Sequence, residues 1–211
     1  EWLPKLISGE AIAACEGVPG FSIDGDRLSG TIDPVPHGGV ADVFVFVSHQ
    51  GAWIVRADAP GVTITRHTTM DQTRPFAKIE LDNAVAEPLA DAQAAIAAVH
   101  QGGWICLAAE AVGGAQACLD RTVAYAKERV QFGRPIGSFQ AIKHRCADML
   151  VDVEGMRSTV FWAAWCIGAD DPEASVAAST AKTWCSDASK RVMASALQVH
   201  GGIGFTWEHD L

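Results

Sequence analysis

Basic residues are in short supply. Lysine and arginine number 16 against 25 aspartates and glutamates, a formal net charge of −9, whereas a phosphate backbone wants a positively charged face. The balance argues against a nucleic-acid partner. Metal-ligand spacing is missing too: the six cysteines, at 15, 106, 118, 146, 166 and 185, form no CxxC pair and no Cys/His cluster, so no metal site is assigned. Buried free thiols in a reducing cytoplasm are the expected state. The sequence offers no signal peptide and no apolar run long enough to cross a bilayer, so no membrane span is expected. Internal repeats and low-complexity segments are absent as well. What remains is an ordinary globular composition, 49% hydrophobic and 19% charged over 211 residues, enough for one large domain or two small ones.

Hydrophobic patterning divides the chain near residue 89. Before it, short apolar runs alternate with glycines. Phe21–Ile23 is one run; 42–48 is a continuous β-branched and aromatic run of the buried-strand type; 52–56 follows a Gln50-Gly51 turn and makes a hairpin; 62–66 and 77–81 alternate. Residues 1–89 therefore read as a small antiparallel β-sheet or barrel. Beyond Pro88, Leu107, Val112, Ala115, Leu119, Val123 and Ala126 recur at helical spacing, with Gly102-Gly103 as a candidate break. A second helix is expected from Phe139 to about 167, and a third from Asp171-Pro172 to about 199, capped by glycines after His200. Residues 90–211 read as an antiparallel helical bundle, and the fold class is α+β.

The most telling stretch is Arg129-Val-Gln-Phe-Gly-Arg-Pro-Ile-Gly-Ser-Phe-Gln140, between the first two long helices. Gly133 and Pro135 force a turn. Arg129, Gln131 and Gln140 offer planar donors, Phe132 and Phe139 flat apolar faces; a guanidinium suits a pyrophosphate and a ring suits a base. Taken alone, the pattern equally describes a helix corner with a salt-bridged arginine. Downstream stands Gln198-Val199-His200-Gly201-Gly202-Ile-Gly-Phe205, whose adjacent glycines let a ligand approach the backbone. A lone strip of this kind is also an ordinary helix cap, and His200 within it reads as structural rather than catalytic.

The two stretches, in this order and at this distance, closely resemble the signatures of the acyl-CoA dehydrogenase family. The resemblance implies FAD as cofactor and α,β-desaturation of an acyl-CoA thioester as reaction. It implies flavin contacts, to a neighbouring subunit's FAD, from Arg129, Gln131, Phe132, Phe139 and Gln140, and from Gln198, Val199, His200, Gly201 and Gly202. A homo- or hetero-oligomer with another acyl-CoA dehydrogenase chain follows, with electrons passed to an acceptor that the sequence does not specify.

Other parts depart from the family pattern. Residues 14–20 stand where a longer flavin-side loop is usual, with Glu16 echoing its acid. In 24–42, which resembles the family's next segment, Val35-Pro36-His37 replaces a Trp-Ile-Thr strip. The β-domain therefore reads as degenerate on its flavin side, like one chain of the heteromeric bacterial relatives that act on steroid or other bulky side chains. The alternative is a non-catalytic partner that lends contacts to another chain's flavin. The family's common base falls beyond Leu211. Some members carry it on the first long helix, where Glu110 is the sole acid between Asp91 and Asp120. Small apolar neighbours would raise its pKa, although a helix acid paired with Arg121 or Lys143 is an equal reading. Glu208 and Asp210 read as solvated acids, His37, His67 and His100 as isolated, and Trp162, Trp165 and Trp184 as core or interface anchors. The first ten residues resemble the link after the family's N-terminal helical domain, so a fragment, or loss of that domain, is expected.

Overall fold

The computed structural model describes residues 2–18 and 20–211. Glu1 of the expected link and Pro19 of the expected 14–20 loop lie outside the described residues. The chain forms two compact units, one running to His100 and the other Gln101–Leu211.

The first unit opens with a short helix α1 (Trp2–Ser8) and holds two four-stranded sheets. One contains β1 (Ala13–Gly17), β4 (Val43–Ser48), β5 (Gly51–Arg56) and β8 (Glu87–Pro88), in the order β1-β4-β5-β8. The other contains β2 (Ser22–Asp24), β3 (Arg27–Pro36), β6 (Val62–Arg66) and β7 (Phe76–Val85), in the order β2-β3-β7-β6. The sheets do not close into a barrel. Most pairings are antiparallel, but β1 lies parallel to β4, with Ala14 opposite Phe44 and Glu16 opposite Phe46. Residues 14–20 were expected as a shortened loop by resemblance; pairing to the apolar β4 instead makes 13–17 a strand, overriding the weak strand preference of Ala, Glu and Gly. The core between the sheets is built on Phe21, Leu28, Val35, Phe44, Phe46, Val55 and Ile79. Phe44 and Phe46 stack 5.5 Å apart, and Phe21 meets the Phe46 and Trp53 rings. Helix α2 (Ala92–Ala97), whose N-cap Asp91 accepts from the Ala94 amide at 2.9 Å, packs on β4 and β5.

The second unit is a three-helix bundle of α3 (Gly103–Glu128), α4 (Gln140–Gly168) and α5 (Ala174–His200). Its core is narrow because its residues are small. Ala115, Ala163, Ala177, Ala181, Ala188 and Ala196 are fully buried, with Met149, Met156, Val153 and Val192 filling the remaining space. Gly102-Gly103 does not break the helix as expected; a π-helical turn, Ala98–Gly102, precedes α3. Two expectations need correction. Only Cys166 and Cys185 are buried, although all six thiols are free. One helical stretch, Ala92–Glu128, is by length and composition long and apolar enough to cross a membrane. Its hydropathy comes from many alanines with scattered Ile, Val, Leu and Cys rather than from one bulky run; core helices pass the same test.

Candidate functional site

Helix α3 stops at Arg129, which turns to extended backbone (φ −69°, ψ 117°) while its amide donates to the Tyr125 carbonyl at 2.8 Å. A miniature hairpin follows, β9 (Val130–Gln131) against β10 (Arg134–Pro135). Its two-residue turn is Phe132-Gly133, at φ of 53° and 75°. Positive φ at both central residues is the type I′ geometry that suits hairpin twist, and glycine meets it easily. A phenylalanine does not, and a bulky residue held at positive φ points to a functional constraint. The Phe132 ring is 90% exposed at the tip. Phe139 is already engaged: the Arg134 guanidinium lies 4.2 Å over its face and Phe132 meets it edge-on at 6.1 Å. Arg129, Gln131 and Gln140 are exposed, with the Gln131 amide donating to the Val130 carbonyl at 2.8 Å. The alternative of a salt-bridged corner finds no ion pair to Arg129 among the described residues.

The second strip closes α5. Gly201 takes a positive φ of 66° and a 3-10 turn, Gly201–Phe205, follows. A Cβ on Gly201 or Gly202 would meet nothing within 4 Å, so the backbone here lies open to a ligand. Gln198 is exposed, whereas the Val199 and His200 side chains are buried and turn inward, leaving only their backbone to an outside partner. His200 stacks on Tyr125, with centroids 4.5 Å apart and planes at 21°. This contact puts the end of α3 beside the end of α5, and α4 starts at the same end. Two stretches some sixty residues apart thus share one end of the bundle. The first turn of α4 has no side-chain cap, so its amides and dipole favour an anion close to Arg129.

Glu110 lies elsewhere. It is exposed on α3, and the 19 residues to Arg129 correspond to about 28 Å of helix. The burial among small apolar groups that was expected for it is not seen in this chain. Asp210 is not simply solvated: it pairs with Arg121 at 2.8 Å. Trp165 is 61% exposed and Trp184 43%, placing both on the bundle surface rather than in its core.

In the first unit Val35 is fully buried beneath β3 and cannot face a ligand, Pro36 is half-buried, and His37 turns outward at φ 59°. A flavin-bound structure should therefore have no ring contact from Val35, and a ring stacked on or hydrogen-bonded to any of Val35 to His37 would overturn the reading of this strip as degenerate. Sequence reasoning missed two imidazole contacts. His67 meets the Asp33 carboxylate at 2.6 Å. His100, in the π turn, sits beside Glu16, whose carboxyl is pushed up by burial and pulled back by the Gly17 amide and by His100. With His49 and Gln93, His100 lines a cavity of about 620 Å³ floored by Gly17 and Val18. Nothing in the local pattern around His100 signals this, because β1 is brought to it only by sheet pairing.

This combination, an α+β chain with a mixed-sheet unit and a helical unit carrying an aromatic hairpin and a glycine strip at one end, defines the class. The model of the acyl-CoA dehydrogenase C-terminal domain matches residues 94–211, more than half the chain, and the protein belongs to the acyl-CoA dehydrogenase family. The acyl-CoA dehydrogenase IpdE2 of Mycolicibacterium smegmatis is 36% identical over 216 residues, covering 100% of this chain and 58% of the relative. Two solved heteromeric assemblies are similar. A Tcur3481–Tcur3483 steroid ACAD variant has a TM-score of 0.80 at 33% identity, covering 95% of this chain and 54% of that one. The ChsE4–ChsE5 complex from Mycobacterium tuberculosis has a TM-score of 0.83 at 32% identity, covering 99% and 60%. The chain thus spans little more than half the length of the relatives it matches.

Proposed function

We propose that this protein is a subunit of a flavin-dependent acyl-CoA dehydrogenase that desaturates an acyl-CoA thioester between its α and β carbons. The observation that carries the reading is Phe132, a phenyl ring held at positive φ on the tip of an exposed hairpin, beside Arg129 and on the same bundle end as the open Gly201-Gly202 backbone. That set suits an elongated dinucleotide: a guanidinium and uncapped helix amides for the pyrophosphate, a ring face for a base, and bare backbone for close approach. FAD, when bound, supplies the hydride acceptor. The chain's own residues bind and orient it, and Glu110 takes the α-proton.

The flavin served by Arg129 is held mainly by another chain. Glu110 and Arg129 lie about 28 Å apart along one helix, so one subunit's base and its arginine attend to different ends of the ligand or to different ligands. A second reading, a partner that lends contacts without catalysing, is favoured by buried Val35 in place of a flavin-facing strip. The resemblance to heteromeric assemblies, one of them a steroid enzyme by its description, supports an oligomer acting on a bulky acyl group. Arg129→Ala in the assembled complex tests the reading. Loss of a charge-assisted contact worth about 1.5–3 kcal/mol should weaken flavin retention roughly 10- to 150-fold. Unchanged flavin occupancy would contradict it.

A further inference from the structure

His200 is buried, yet it adjoins the open backbone of Gly201 and Gly202. Its Nδ1 donates to the Ala196 carbonyl at 2.8 Å, which fixes the ring's rotation. One face lies on Tyr125, and the His209 ring leans on it from 4.9 Å at 59°. The chain between the two histidines is wound tightly. Gly201 reverses it at positive φ, and Gly204 comes so close that a Cβ there would stand 3.1 Å from the His200 Cβ and 3.3 Å from the Leu197 carbonyl. Thr206 then donates its amide to Ile203 at 3.1 Å, and the His209 amide to Thr206 at 3.2 Å. Arg121 holds Asp210 at 2.8 Å, and Leu211 packs on the bundle core. The segment after the strip is therefore folded back and fastened to α3.

We propose that His200 is a positioning residue: in contact with both Tyr125 and His209, its ring is the post around which Gly201–Phe205 winds, and it holds that backbone in the form a ligand meets. The inference rests on the reading of this strip as a flavin contact, but the order of the strip is measurable without flavin. Without the post, Gly201 and Gly204 have the wide conformational freedom of glycine, and the ring contacts to Tyr125 and His209 are lost. The same contacts give the return segment a role: Arg121, through Asp210, fastens the segment that carries His209 against His200.

Amide hydrogen exchange on the complete chain tests the proposal. His209→Ala removes one of these ring contacts. It should raise exchange at Gly201–Phe205 by about tenfold or more, the signature of local opening, while mid-helix amides of α3 and α5 and the urea midpoint stay unchanged. His200→Phe, which keeps a ring but loses the Nδ1 donor, should stay near wild type, and His200→Ala should exceed His209→Ala. Unchanged strip exchange in a folded His209→Ala protein, or a His200→Phe protein as loose as His200→Ala, would overturn it. Failure of the flavin reading looks different: Gln198→Ala and Arg129→Ala would leave flavin content intact whatever the strip does.

Discussion

Replacing Glu110 by glutamine is expected to leave flavin and acyl-CoA binding in place and to cut turnover of the assembled dehydrogenase about 10²- to 10⁴-fold, the usual worth of a general base. On the proposed reading, Glu110 would take the α-proton, and FAD, when bound, would supply the hydride acceptor. Glu110 is the sole acid on its helix before Asp120, and Leu107, Ala109 and Ala111 around it leave room for a thioester. Glutamine keeps the shape and removes the basic oxygen, so Kd for substrate should hold while kcat falls. In this chain the carboxylate is exposed; the dry surroundings that would tune it have to come from the assembled complex and its substrate. Single-turnover flavin reduction in the E110Q complex is the measurement. Near wild-type reduction would make Glu110 a surface acid and give the base to another chain, the arrangement of the non-catalytic reading.

The largest stability effect is expected at Gly61. It holds φ at 86°, and its carbonyl accepts from the Asp82 amide at 2.8 Å. An added Cβ would be driven into the Asp82 carbonyl oxygen, which is backbone of β7 and has no side-chain freedom with which to yield. Gly61→Ala must therefore displace the edge pairing of β6 with β7, in addition to the left-handed strain of about 1–2 kcal/mol. A total loss of about 3 kcal/mol or more is expected, lowering Tm by roughly 6–12 °C in a chain of this size. Gly25 is the control. Its φ is 60° but its Cβ would meet nothing within 4 Å, so Gly25→Ala carries the strain without the collision and should cost only about 1–2 kcal/mol. Equal melting shifts for the two variants would mean that the close approach to β7 contributes nothing.

Much of the architecture was legible because it follows periodicity. The run 42–48 became β4, the Gln50-Gly51 turn opened β5, and Gln140–Gly168 begins one residue from its expected start. What failed were elements whose cause is tertiary. Ala13–Gly17 becomes a strand only because β4 stands beside it, and Gly102-Gly103 passes into a π turn where an isolated helix would fray. At the site, the residue types and their order were readable from the sequence. Their meeting at one bundle end depends on the Tyr125–His200 stack, which no spacing encodes. The different fates of Phe132 and Phe139, one exposed at a hairpin tip and one covered by Arg134, were equally hidden. Val199 and His200 were expected among the cofactor contacts because they lie within the strip; helical geometry instead turns their side chains into the bundle.

The central claim is that this chain's bundle end serves a flavin held mainly by another subunit. Flavin absorbance per chain, measured on the complete protein purified alone and again after co-expression with acyl-CoA dehydrogenase chains encoded beside it, tests that most directly. The account predicts a colourless protein alone and a yellow heteromer whose flavin is lost when Arg129 is replaced by alanine. A protein that purifies alone with one tightly held flavin per chain, retained in the Arg129→Ala variant, would contradict it.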